Sequence, residues 1–116
     1  MSCLFCKIVE GSIPSTPVYQ DELCYAFADI NPQAPVHVLV VPKGDFVSLA
    51  DFCAGAPDAL ITGYFRAIGR VAAQLGLVEH GFRGLFNVGT DGGQEVPHLH
   101  IHLFGGKRLG PMLVRG

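Results

Sequence analysis

Three of the five histidines in this 116-residue chain, His98, His100 and His102, lie close together and alternate with Leu99, Ile101 and Leu103. Successive side chains of an extended segment point to opposite faces, so the three imidazoles share one face while leucine and isoleucine hold the other in a core. Packing does not select imidazoles for such a row. Two chemistries remain: neutral imidazoles can coordinate zinc, or one imidazole can attack while its neighbours orient it and donate protons. Spacing alone leaves both open, because neighbouring side chains on one face stand about 6.5–7 Å apart at Cα.

The surroundings of the row favour anion chemistry. Gly92-Gly93 precede it and Gly105-Gly106 follow it, and glycine lets main-chain N–H groups approach phosphate oxygens closely. Asn87 adds a neutral donor from a neighbouring segment, and His37 lies in another extended segment from which it can reach the same pocket. Imidazoles, amides and backbone donors together suit a phosphoryl group.

Positioning these groups takes a sheet. Residues 2–10 carry Leu4, Phe5, Ile8 and Val9 at helical spacing, with Gly11 as a stop, which predicts a short N-terminal helix. Pro14 and Pro17 impose extended chain. Residues 24–28 and 36–41 read as strands, the second rich in β-branched residues and closed by Pro42. A long helix is predicted from Pro57-Asp58 to Gly76, with Leu60, Ile61, Tyr64, Phe65, Ile68, Val71, Ala72 and Leu75 on one stripe. Residues 84–88 and 99–104 read as two further strands, separated by the turn-prone run 90–93. The predicted class is α+β: a mainly antiparallel sheet with one long helix and a short N-terminal one.

Fifteen Gly and eight Pro in 116 residues, with no repeat and no linker, leave room for a single domain over 1–116. Hydrophobic residues at 49% against charged residues at 16% support a packed core. A formal charge of −2 excludes general nucleic-acid binding by charge, and no apolar run approaches the ~20 residues that span a bilayer. A soluble cytoplasmic protein is expected, with Cys3, Cys6, Cys24 and Cys53 as free thiols. Residues 107–116 carry enough apolar surface to pack, and a place near a dimer partner is expected for them.

The run from Asp29 through Asn31-Pro32-Gln33-Ala34-Pro35-Val36-His37 to Pro42-Lys43, followed by Asn87 and by Asp91-Gly92-Gly93-Gln94-Glu95-Val96-Pro97-His98-Leu99-His100-Ile101-His102-Leu103-Phe104-Gly105-Gly106, resembles the histidine triad family. The match is closest to its nucleotide-binding hydrolase branch, the purine nucleoside phosphoramidases, and covers nearly the whole chain. The resemblance implies a histidine-triad-like fold, a homodimer, and a reaction in which His100 attacks the α-phosphorus of a nucleoside phosphoramidate. A nucleotidyl-histidine forms, the amine leaves, and water releases the nucleoside monophosphate. By family position His102 lies on the phosphate and leaving-group side, His98 buttresses the row, and His37 is a further pocket histidine. The resemblance places Asn87 and the backbone of Gly93 and Val96 on phosphate, Asp29 on the ribose hydroxyls, and Phe5, Ile8, Ile13 and Ile30 around the purine. Tyr64, Phe65 and Ile68, with the tail, are the expected dimer surface.

Two departures qualify the resemblance. Glu95 stands where some relatives have serine near the leaving amine, so a carboxylate is available to hold a cationic leaving group. Some branches join a Cys-X-X-Cys pair to two histidines in a structural zinc site, one of them after the Pro-Lys turn. Here Pro42-Lys43 is followed by Gly44-Asp45; aspartate can ligate zinc, so a structural zinc at Cys3 and Cys6 stands as the alternative, while packing is the expected role of both cysteines and no metal is required. Three other readings stand beside the phosphoramidase: a dinucleoside polyphosphate hydrolase or nucleotidyl transferase using the same His100, a nucleotide-binding regulatory module with incidental activity, and a zinc enzyme built on His37 and the row. Gly105-Gly106, where polyphosphate-cleaving relatives carry a proline-arginine pair, favours the phosphoramidase.

Overall fold

The structure, a computed structural model, describes residues 4–113. Cys3, Val114 and the first residues of the predicted N-terminal helix lie outside the described residues. In chain order the elements are α1 (Leu4–Glu10), β1 (Pro17–Gln20), β2 (Cys24–Ala28), β3 (Val36–Pro42), α2 (Leu49–Gly55), α3 (Asp58–Gln74), β4 (Arg83–Phe86) and β5 (Ile101–Gly105). The strands form one fully antiparallel sheet in the order β1-β2-β3-β5-β4. The α+β expectation holds, and the structure belongs to that class.

The sheet separates two apolar clusters because its strands alternate. Cys24, Ala26, Val38, Val40, Ile101 and Leu103 face α2 and α3, where Phe52, Tyr64, Ala67, Ile68 and Val71 complete the larger cluster. Tyr25, Phe27, Leu39 and Val41 face the other way and close with Phe5 of α1. Tyr64 is fully buried, and its hydroxyl donates to the Val40 carbonyl at 2.8 Å, tying α3 to the central strand.

Two elements escape the sequence reading. α2 is only seven residues, too short for a persuasive apolar stripe, and is fixed at its start by Ser48 and Asp51: the Ser48 hydroxyl accepts from the Ala50 amide, and the Asp51 carboxylate accepts from the Ser48 and Val47 amides. β1 pairs with β2 only through an irregular register. The expected strand over 99–104 is shifted: β5 begins at Ile101, and the preceding residues run in over Phe46, whose carbonyl accepts the Leu99 amide.

The expected dimer surface on α3 needs correction. Tyr64 is 0% and Ile68 8% exposed, both turned into the larger cluster, whereas Phe65 is 48% exposed. The stripe is therefore mostly this chain's own core. At Gly105 a Cβ would meet the end of the Leu77 side chain, so the glycine packs directly against Leu77.

Candidate functional site

β3 and β5 bring the histidines together. Their register sets His37 opposite Phe104 and Leu39 opposite His102, so His37, His102 and Phe104 share the face that α1 partly covers. The His37 ring lies 5.2 Å from that of His102 and 4.2 Å from that of Phe104, and the His102 and Phe104 rings are stacked at 5.7 Å. His100 stands 4.9 Å from His102 between centroids. The four imidazoles expected at one site are there. The fifth, His80, is exposed and lines clefts that hold no other histidine.

Hydrogen bonds assign a role to each ring nitrogen. His100 Nδ1 lies 2.7 Å from the His98 carbonyl oxygen, which only accepts, so Nδ1 carries the proton and Nε2 of the neutral ring keeps a lone pair. That is the tautomer a nitrogen nucleophile needs. Burial holds its pKa below the ordinary value, against the raising effects of the His98 carbonyl and the Asp29 charge.

His98 turns both nitrogens away from this chemistry. Its Nε2–H donates to the Pro42 carbonyl at 3.1 Å, while Nδ1 sits 3.3 Å from Cys6 Sγ. Burial lowers its pKa too. His98 therefore supports the row from beneath, with Phe5 packed 6.2 Å from its ring and 4.8 Å from that of His100.

His37 and His102 form a directed chain. The Gln33 amide donates to His37 Nδ1 at 3.1 Å, which leaves Nε2 of the neutral ring protonated. His37 Nε2–H then donates to His102 Nδ1 at 2.9 Å, so the proton of neutral His102 resides on Nε2. Burial, together with the neighbouring His100 and His37, pushes the His102 pKa down to about 4, while burial lowers that of His37 against the opposing Asp29 charge. The Asp29 carboxylate reaches within 3.4 Å of His37 Nε2 and is itself held by the Asn31 amide at 2.8 Å.

Asp29, His37 and His102 are close enough to suggest a cation site, their candidate ligand atoms lying within 4.8 Å of one another. The hydrogen bonds oppose it. A cation on His37 Nε2 requires the proton on Nδ1 and an acceptor opposite, and the Gln33 amide is a donor. Cys6 is disulfide-bonded, and Cys3 lies outside the described residues. This corrects the expectation of free thiols, which holds for Cys24 and Cys53.

The other predicted residues are placed as follows. Phe5 is buried beneath the row, with Ile8 and Val96 packed beside it. Ile13 is half-buried just beyond α1, where its amide donates to the Lys7 carbonyl. Ile30 is 97% exposed beside Asp29, on the rim rather than in an apolar slot. Asn87 is half-buried directly after β4, and Glu95 is exposed in the loop before the row. The Gly93 amide, expected to face an anion, donates to the Thr90 carbonyl at 3.1 Å.

Sequence reasoning missed Gln94 and Arg83. The Gln94 side chain accepts from the Gly89 amide and donates to the Val47 and Val96 carbonyls, stapling the 89–96 loop in front of the histidines. Nothing in its sequence context announces this, because the partner that ties the loop to the rest of the chain, Val47, is 47 residues away. Arg83 sits opposite Phe104 in register and shares with Lys107, Gln33 and Phe104 a cleft of about 510 Å³ at the His102 end of the row. Its position on β4, two residues from Leu85 and on the same face, was the available signal. The Arg83 guanidinium donates to the Gly110 carbonyl at 2.7 Å and anchors the tail to its own chain.

Comparison with known proteins agrees with this arrangement. The HIT domain model matches residues 10–109. An uncharacterized HIT-like protein from Azospirillum brasilense is 54% identical over 97% of this chain and 93% of its own length. The purine nucleoside phosphoramidase of Escherichia coli is 44% identical over 95% of this chain and 92% of its own. A solved histidine triad protein from Clostridium difficile superposes with a TM-score of 0.86 at 46% identity, covering 97% of each chain. With the HIT domain model matching residues 10–109 and these relatives covering nearly all its length, this chain belongs to the HIT domain family.

Proposed function

We propose that the chain is a nucleotide-binding hydrolase that cleaves the P–N bond of purine nucleoside phosphoramidates through a nucleotidyl-histidine on His100. The observation that carries this reading is the 2.7 Å bond from His100 Nδ1 to the His98 carbonyl, which leaves Nε2 as a neutral nucleophile beside two other imidazoles. The resemblance to the phosphoramidase of E. coli supports the substrate class.

The Nε2 lone pair forms the new bond to the α-phosphorus. The P–N bond to the amine breaks, its electron pair stays on the leaving nitrogen, and that nitrogen takes up the His102 Nε2 proton, which the attacking water later returns. Water then attacks phosphorus, releases nucleoside monophosphate and restores His100. His102 presents a neutral Nε2–H for the charge that develops on phosphoryl oxygens, a task for fixed donors. Asn87 and the Val96 backbone share that task, Asp29 takes the ribose hydroxyls, and Phe5, Ile8, Ile13 and Ile30 border the base. No step requires a metal.

The cationic cleft beyond Phe104 favours a second reading, a dinucleoside polyphosphate as substrate, because Arg83 and Lys107 suit an anionic leaving group. Both readings use a homodimer. Exposed Phe65, Phe82, Leu85 and Val88 around edge strand β4, with Met112 and Leu113 of the tail, provide its apolar surface. Mass spectrometry of protein quenched during turnover of adenosine 5′-phosphoramidate tests the central step. A nucleotidyl adduct on His100 is expected, and turnover with the adduct on another residue overturns the assignment.

A further inference from the structure

His37 has one ring proton to give on this side and two acceptors beside it. The Gln33 amide occupies Nδ1 and thereby places the proton on Nε2. His102 Nδ1 lies 2.9 Å from Nε2 and the Asp29 carboxylate 3.4 Å. The shorter contact is the hydrogen bond, and the carboxylate, which carries a full charge, is the standing competitor. If Asp29 draws the proton away, His102 Nδ1 loses its donor, and nothing then holds the His102 proton on Nε2.

We propose that Asp29 and His102 compete for the Nε2–H of His37, so that a ribose diol donating to Asp29 commits that proton to His102 and couples sugar recognition to the orientation of the His102 donor. The inference rests on the nucleotide reading above and deepens it. The loop geometry suits such coupling: the Asn31 amide holds Asp29 Oδ1, leaving Oδ2 as the oxygen that faces His37. The Asp29 amide also donates to the His37 carbonyl at 3.0 Å, so the residue after β2 and its carboxylate are tied directly to the His37 backbone on β3. His37 acts through His102 and is a positioning residue.

A static pocket and a coupled one differ in what the hydroxyls do. In a static pocket, removing both hydroxyls from the substrate weakens binding and raises KM alone. In the coupled one, the bound sugar also fixes the donor used during reaction, so kcat falls, by about tenfold or more on the usual scale of coupling between sites.

The test compares adenosine 5′-phosphoramidate with its 2′,3′-dideoxy analogue, together with ¹⁵N-histidine NMR of the protein bound to AMP or to 2′,3′-dideoxy-AMP. The expected results are a lower kcat for the dideoxy substrate, a single Nε2–H tautomer of His102 with AMP, and mixed tautomers with the dideoxy nucleotide. In Asp29→Asn, which removes the charged competitor, the kcat difference between the substrates should shrink towards one. Equal kcat values in the native protein, or identical His102 tautomers with both nucleotides, overturn the coupling while leaving the hydrolase reading intact. No turnover of either substrate, with no histidine signal perturbed by either nucleotide, overturns the hydrolase reading and the coupling together.

Discussion

The ring of Phe5 stands edge-on to the ring of His100, with centroids 4.8 Å apart and planes at 89°. An N-terminal helix thus closes over His100, and the same phenyl ring packs edge-on against Phe27 of β2. Phe5 both fills the smaller core and keeps water from His100. Phe5→Ala is expected to lose about 3–5 kcal/mol of stability by cavity formation and to raise the His100 pKa towards the ordinary value. Urea unfolding and histidine NMR titration read the two effects separately. An unchanged His100 titration in a folded variant contradicts the shielding role.

The depressed histidine pKa values make stability depend on pH. His37, His98, His100 and His102 are all held below the ordinary value of 6.5, chiefly by burial, so below that pH the unfolded chain binds more protons than the folded one. Stability contributed by these neutral rings is fully present above pH 6.5 and is lost as pH falls, with the His102 contribution lost down to about 4. Urea midpoints should therefore decline across this window. A midpoint that is flat or rises on acidification contradicts the burial of these rings in neutral form.

His98 and His100 should separate cleanly on substitution. His100→Asn removes the proposed nucleophile and is expected to reduce turnover by about three orders of magnitude or more with nucleotide binding retained. His98→Asn removes a buried ring that donates to Pro42, and is expected to cost about 1–3 kcal/mol of stability. Steady-state kinetics alongside thermal unfolding distinguishes the two. Comparable losses of turnover in both variants, at equal stability, would show that the tautomers have been misassigned.

Gly92 admits no side chain. A Cβ there would stand 2.4 Å from the Val88 carbonyl oxygen, and backbone cannot swing aside as a flexible side chain can. Gly92→Ala should displace the 89–96 loop and lower turnover more than Gly110→Ala, where a Cβ meets nothing within 4 Å. Kinetic comparison of the two variants checks this, and equal activity would show that the loop does not serve the site.

Glu95 is exposed beside the row, where a carboxylate can attract a cationic amine. Glu95→Ser is expected to shift preference away from lysine-like leaving groups while leaving nucleotide affinity nearly unchanged. Competition between phosphoramidates with charged and neutral amines measures it, and identical selectivity in both proteins removes the proposal.

Much of this site was legible in the sequence because strand alternation is a strict code. Once His98, His100 and His102 alternate with Leu99, Ile101 and Leu103, an imidazole face and a core face follow, and the structure buries Leu99, Ile101 and Leu103 accordingly. β2, β3 and α3 were readable for similar reasons: β-branched runs, a closing Pro42 and the stop at Gly76, whose φ is +71°. What stayed hidden depends on distant backbone. α2 is defined by two capping side chains, and Gln94 by carbonyls and an amide from separate stretches. The tautomers of His37 and His102 depend on the Gln33 amide, a group every non-proline residue possesses and no sequence pattern advertises. Tyr64 and Ile68 show the complementary failure, since an apolar helical stripe looks the same whether a sheet or a second copy covers it.

Because β5 presents Leu103 to one side and His102 to the other, its pairing with β3 sets two properties at once. Sliding the strand by one position would drive an imidazole among the aliphatic side chains beneath α3 and turn a leucine onto the histidine face. A molecule in the wrong alignment would pay in solubility as well as in turnover, so selection for a well-folded chain and selection for an active one act on this strand in the same direction.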